Sequence, residues 1–270
     1  MILKLAFAAL LAAATLLLIM RFSQTEMLFP THAVPPAGPL PPGAAELELK
    51  TAAGDRLRGV HIQPKANGVG PRTLILGFGG NAWNGQDVAE YLHQVFPEAD
   101  VIAFHYRGYT PSTGSPSAEA LMKDAPLVHD LAVDLVKPER VVAVGFSIGS
   151  GVAASLARRR DLDGLILVTP FDSLKAVAAD MFPWLPVGPI FQHELATAEE
   201  LEGGRTPVAV LAGERDEIVL PARTAALRNR VPNLVFDRTI AGAGHNDVYA
   251  MDDFQESLRQ ALKVVVSTAK

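Results

Sequence analysis

From about residue 45 onward, short apolar runs rich in valine, isoleucine and leucine alternate with longer stretches of helical periodicity. That alternation constrains the fold more than any other feature. Short continuous apolar runs are strands buried on both faces, and intervening helices supply the two covers, so the pattern predicts a mostly parallel α/β sheet. Strands are expected at Glu46–Lys50, Leu57–Gln63, Thr73–Leu76, Val101–His105, Arg140–Phe146, Leu165–Thr169, Val208–Ala212 and Leu234–Ile240. Ala-Ala-Gly-Asp between the first two marks a hairpin, hence an antiparallel start. Helices are expected before Val95, over Ala118–Val136 with an interruption or kink at Pro126, and over Ile148–Arg159, Ala222–Arg230 and Phe254–Val265. Ligands of such sheets sit beyond the carboxyl ends of the strands, so residues just after strands are the functional candidates.

Ahead of this region, Leu5 to Met20 carry no charge, with Lys4 before them and Arg21 after. Sixteen residues at about 1.5 Å each make roughly 24 Å, and flanking apolar residues with snorkelling ends extend that to a minimal single span. Residues 1–22 are therefore read as a membrane anchor. Cleavage as a signal peptide after Ala12-Ala13-Ala14 is the rival reading, though it leaves an apolar end on the mature chain. A buried helix is a third. Flanking charge sets the orientation weakly, and an extracytoplasmic, periplasmic catalytic domain is the expected side. Pro30, Pro35, Pro36, Pro39, Pro41 and Pro42 exclude helix interior from residues 30–43. Residues 23–43 read as a semi-rigid stalk, or as a segment packed along the domain of residues 44–270.

A net charge of −5 argues against nucleic acid as the main partner, and the absence of cysteine excludes a thiol nucleophile or a cysteine metal site. Gly77-x-Gly79-x-x-Ala82 is a weak match to a dinucleotide fingerprint, placed after the wrong strand and without the following acid. No cofactor or metal is expected.

Gly145-Phe-Ser147-Ile-Gly149 lies where a strand gives way to a helix. In that context G-x-S-x-G places a serine on a sharp turn, with glycines allowing strand and helix to approach. Ser147 is the candidate nucleophile, and an N-capping serine is the plainer alternative. A serine needs a base and an orienter. Asp216 follows the strand Val208–Ala212, and His245 follows Leu234–Ile240, so one sheet edge can gather all three. Glu214, Glu217 and Asp172 are rival acids. Two aimed N–H groups would hold an oxyanion, from Ile148 after the nucleophile and from Phe78 in Gly77-Phe-Gly-Gly80. His61, His93, His129 and His193 read as scattered surface or capping groups. Arg158-Arg-Arg160 reads as a helix C-terminal charge cluster.

With these motifs in place, residues 45–268 resemble an α/β-hydrolase-fold serine hydrolase, and are most similar to the membrane-anchored α/β-hydrolase-domain branch with small caps. Leu76-Gly-Phe-Gly-Gly-Asn81 is similar to its oxyanion loop, with Leu76 where a histidine is usual. His105-Tyr-Arg-Gly-Tyr-Thr-Pro-Ser-Thr-Gly-Ser-Pro-Ser117 is similar to its Asp-Tyr-Arg-Gly loop, with His105 in place of the aspartate. Pro170-Phe-Asp-Ser-Leu174 and Gly213-Glu-Arg-Asp-Glu-Ile-Val219 resemble it also. The resemblance implies ester or thioester hydrolysis through an acyl-enzyme, with a small-molecule or lipid-like ester as substrate and a small cap at residues 171–204. Trp184 and Phe191 of that apolar insertion are the candidate substrate contacts. A tethered binding protein without turnover and a peptidase on the same fold are the rival functions.

Overall fold

A computed structural model describes residues 1–65 and 70–269. Eight strands form one sheet: β1 (Ala44–Lys50), β2 (Arg56–Ile62), β3 (Thr73–Phe78), β4 (Asp100–Phe104), β5 (Arg140–Phe146), β6 (Gly164–Val168), β7 (Val208–Gly213) and β8 (Leu234–Ile240). Their order is β1-β2-β4-β3-β5-β6-β7-β8. β2 pairs antiparallel with β1 and β4, and every pairing from β4 to β8 is parallel. The hairpin start and parallel body follow the sequence pattern.

Alternation within each strand explains the layering. Leu74, Leu76 and Ala143 face one apolar layer, while Ile75, Val142 and Val144 face the other. α2 (Gly85–Val95) and the carboxy-terminal helix (Asp252–Thr268) cover the second face. α3 (Ala118–Val136) and α4 (Ile148–Ala157) cover the first. Pro126 lies inside α3 without ending it. Side-chain caps start the helices where the sequence supplies them: Asn84 accepts from the Asp87 N–H at 2.9 Å, and Ser117 from the Ala120 N–H at 3.1 Å.

The chain lays β4 on one side of β3 and then crosses to place β5 on the other. Strand order reverses there, and the loops leaving β3 and β5 splay apart into a crevice. Glycine lets that crevice close on itself. A Cβ on Gly149 would stand 2.1 Å from the Phe78 carbonyl oxygen and 2.5 Å from that of Gly79. Backbone cannot step aside as a side chain can. Gly149→Ala is expected to cost at least the roughly 3 kcal/mol at the top of the usual overpacking range, read by denaturant unfolding. Gly188→Ala, whose Cβ meets nothing within 4 Å, should be neutral by comparison.

The four histidines read as surface or capping groups are buried, which corrects that expectation. His61 contacts Asp100 at 2.8 Å, and Arg72 Nε donates to the same carboxylate at 2.8 Å. Burial alone would raise the Asp100 pKa, but these hydrogen bonds outweigh it and hold the carboxyl below its ordinary range. The cluster ties β2, β3 and β4 together at the end of the sheet opposite the crevice. Sequence spacing hid it because its members meet only once the strands pair.

The amino-terminal helix α1 runs over Ile2–Leu28, beyond the expected boundary at Phe22. An 18-residue window of it has mean hydropathy 2.5 and no buried residue, and the helix is long and apolar enough to cross a membrane. Its last turns lie on the domain. Phe29 is fully buried, its ring edge-on to His193 at 5.4 Å. The proline-rich segment lies on the domain too, the second of the two readings weighed for it. Gln86 donates to the Gly38 and Pro39 carbonyls, and Asn84 to that of Pro35.

Candidate active site

Ser147 sits between β5 and α4 with φ 51° and ψ −118°. Positive φ is unusual for a residue with a Cβ, and here the surroundings enforce it. The Ser147 N–H donates to the Val168 carbonyl at 2.9 Å, clamping the turn to β6. Gly145 is pressed against α4, where a Cβ would meet the Gly149 carbonyl oxygen at 2.4 Å. The hydroxyl is thereby thrust out of the sheet edge above the start of α4, where unpaired N–H groups favour negative charge.

β7 and β8 bring up the partners. His245 Nε2 lies 3.0 Å from Ser147 Oγ, and its Nδ1 lies 2.8 Å from Asp216 Oδ2. The other Asp216 oxygen accepts from the N–H groups of Ile218 at 3.0 Å and Val219 at 2.7 Å. Both carboxylate oxygens are thus engaged, and the group is 4% exposed. Two of the rival acids are occupied elsewhere. Asp172 faces Arg223, and Glu214 accepts from the Gly242 N–H. A floor of aromatic rings lies beneath: Trp83 packs on Phe146 at 5.0 Å and on Tyr249 at 5.5 Å. Burial pushes the Tyr249 phenol up to about 12, so it stays neutral through the physiological range.

The expectation for Phe78 needs correction. β3 continues two residues past its predicted end, so Phe78 is still strand and borders a small separate cavity. The loop moves down the chain, and Gly80, Asn81 and Ala82 border the cavity holding Ser147. A Cβ on Gly80 would stand 3.7 Å from that of Ser147. Ile148 borders the same cavity.

The loop after β4 holds this segment in place, a role that sequence reasoning did not assign. Tyr106 Oη donates to the Gly79 carbonyl at 2.9 Å, and Tyr109 Oη donates to that of Asn81. Burial raises both phenols well above their usual pKa. Arg107 between them forks onto Asp124 at 2.7 and 2.6 Å and also reaches Asp55. The Tyr-Arg-Gly-Tyr spelling was the available signal, but its targets are carbonyls distant in sequence.

His105, where the resemblance leads one to expect aspartate, is buried, and its Nδ1 accepts from the Gly85 N–H at 3.3 Å. Burial pushes its imidazole down to about 4. The unfolded histidine takes up its proton near pH 6.5, so between about 6.5 and 4 the unfolded chain binds more protons. The stability that follows is full above that window, drains as pH falls through it, and is gone below: on the order of 3 kcal/mol. His105→Asn keeps an acceptor for Gly85 and should flatten the fall of unfolding free energy between pH 7 and pH 4. His93 and His193, also lowered by burial, leave a residual slope of the same sign. An unchanged slope in the variant would refute the assignment.

The cavity above Ser147 measures about 640 Å³ and is predominantly apolar. That falls within the size range of small-molecule sites. Phe171, Leu174, Val177, Phe182 and Phe191 of the insertion form much of its wall. Phe191 therefore lies on the cavity wall. Trp184 is not: it is 63% exposed and stacks edge-on against Phe182 from outside the lining. Met20, Gln24, Met27 and Leu28 of α1 close another side.

A doubly covered sheet of this order, with a serine on a strained turn after β5 and an acid and a histidine after β7 and β8, defines an α/β hydrolase, and this chain belongs to the α/β-hydrolase fold family. A family model for that fold matches residues 74–188. An uncharacterized protein of Mycobacterium tuberculosis is 31% identical over 254 residues, covering 92% of this chain and 89% of that protein. An uncharacterized membrane protein of Saccharomyces cerevisiae is 34% identical, over 60% of each chain. Among solved structures, a Pyrococcus furiosus esterase superimposes with a TM-score of 0.66 at 18% identity, over 87% of this chain and 97% of its own.

Proposed function

We propose that this protein is a membrane-anchored serine hydrolase that cleaves carboxylic ester or thioester bonds through an acyl-enzyme. The observation that carries the reading is the unbroken hydrogen-bonded chain from Ser147 through His245 to Asp216, opening into an apolar cavity. The esterase name of a structural neighbour agrees with it. So does the apolar α1, together with the name of the yeast relative, for the anchor.

The Ser147 oxygen attacks the acyl carbon as its proton passes to His245 Nε2. The imidazolium formed is held by the Asp216 carboxylate through Nδ1–H. The carbonyl oxygen becomes an alkoxide facing the Ile148 N–H and the backbone of Gly80–Asn81. Collapse breaks the bond to the alcohol or thiol, which leaves with the proton from His245. Water then gives a proton to His245, attacks the acyl-serine and releases the carboxylic acid, and Ser147 regains its proton. The apolar walls exclude bulk water and strengthen each of these charge contacts.

Purified full-length protein in mild detergent should label covalently with a fluorophosphonate probe and release para-nitrophenol from acyl esters. Folded protein that neither labels nor hydrolyses would remove the enzyme reading in favour of a tethered binding protein.

A further inference from the structure

The helix that carries the apolar run does not stop where the run stops. The run ends at Met20, and α1 continues to Leu28. Met20, Gln24, Met27 and Leu28 share one face of that extension, at the i, i+4, i+7, i+8 spacing of a helical stripe. All four border the cavity that holds Ser147 and His245. The contact is built with directional bonds. The Gln24 side-chain amide donates to the Ile190 carbonyl at 2.8 Å and accepts from the Gln192 N–H at 2.9 Å. Thr25 Oγ1 meets His193 Nε2 at 2.8 Å. A helix that merely tethered a domain would have no use for these bonds to the cap, nor for methionines lining the catalytic cavity.

Met20 also marks a level. Upstream of it the helix is exposed hydrocarbon-like surface, so the bilayer's apolar core ends near this residue. Met20 to Leu28 spans about 12 Å of helix axis. The α1 wall of the cavity therefore starts at the membrane interface and reaches outward by that distance. The cap segment packed beside α1 exposes Met181 and Trp184, and an exposed tryptophan is at home at a membrane–water interface.

Resting on the serine-hydrolase reading above, we propose that α1 is both anchor and specificity wall, and that the site draws its substrate from the bilayer: a long-chain acyl ester. Its chain runs along Met20 and Met27, and its ester group reaches Ser147. An acyl chain resting in the bilayer has its ester at the interface, so it passes from one apolar medium to another without crossing water. The chain contacts bind uniformly and select by length, whereas the reacting ester sees the same serine whatever the chain.

The test uses full-length protein reconstituted in phosphatidylcholine vesicles, comparing kcat/KM for para-nitrophenyl palmitate with that for para-nitrophenyl butyrate. Wild type should favour palmitate. Met20→Trp and Met27→Trp fill the channel and should lower the palmitate-to-butyrate ratio by roughly tenfold, the worth of a few displaced methylenes. Met27→Ser tests the same wall without added bulk and should lower the ratio too, while Met27→Leu should retain it. Gln24→Ala, which unties the wall from the cap, should raise KM for palmitate more than for butyrate. Fluorophosphonate labelling of each preparation separates the two readings. Wild type that labels and cleaves butyrate, with a ratio unmoved by any of these substitutions, overturns this inference alone. Wild type that does not label overturns the hydrolase reading and this inference with it.

Discussion

Ser147→Ala is expected to abolish fluorophosphonate labelling and to lower ester kcat by about 10⁵-fold or more, the scale seen when a serine nucleophile is removed. Among the described residues bordering the cavity, no other side chain is placed to take over the attack. Among the residues bordering it, the hydroxyl within reach of His245 is that of Ser147, at 3.0 Å, and Tyr249 stays neutral with its hydroxyl toward Thr169. The fold should tolerate the change. The Ser147 side chain supports neither neighbouring element, and the turn is held by the backbone bond to Val168. A variant that keeps more than a hundredth of wild-type turnover would show that the nucleophile lies elsewhere.

Asp216→Asn should cost about 10⁴-fold in kcat with the fold intact, and the structure supplies the reason in hydrogen-bond directions. The Ile218 and Val219 N–H groups both donate to Oδ1 of Asp216. An asparagine there must give its carbonyl oxygen to them, which turns its NH₂ toward His245. His245 Nδ1 then has to accept, and the ring proton moves to Nε2. A protonated Nε2 cannot take the proton from Ser147. The loss therefore follows from the wrong tautomer rather than from lost packing, and Ser147→Ala combined with Asp216→Asn should be no worse than Ser147→Ala alone. Kinetics with a soluble short-chain ester measure both. A loss below tenfold would mean that Asp216 does not orient the base.

Much of this was legible in one dimension because it depends on local order along the chain. The alternation of apolar runs and helices marks a covered parallel sheet. G-x-S-x-G at a strand–helix junction marks Ser147, and the positions of Asp216 and His245 after later strands mark their places on the same edge. The errors have physical causes. Phe78 falls outside the loop because β3 pairs with β4 through Gly77 and with β5 through Phe78, and so stays extended two residues longer than its apolar run suggests. Trp184 reads as a pocket residue in the sequence because an aromatic in an apolar insertion has no direction until the insertion folds. The buried histidines read as surface groups in one dimension because burial of a polar ring depends on partners such as Asp100, which lies 39 positions from His61.

By itself, the sequence determined the order of elements, the residue types of the site and an apolar helix at the amino terminus. Those are properties of periodicity and of strain at single turns, which neighbouring residues settle among themselves. Only the tertiary structure decided which loop residues border the cavity beside Ser147, how Tyr106 and Tyr109 brace that loop, and that α1 continues beyond its apolar run to wall the cavity. Each of these is a meeting of groups far apart in the chain. A hydrogen bond such as Gln24 to Ile190, spanning 166 positions, has no signature in either local sequence. It exists because the fold lays α1 beside the cap and brings the Gln24 side-chain amide to 2.8 Å from the Ile190 carbonyl.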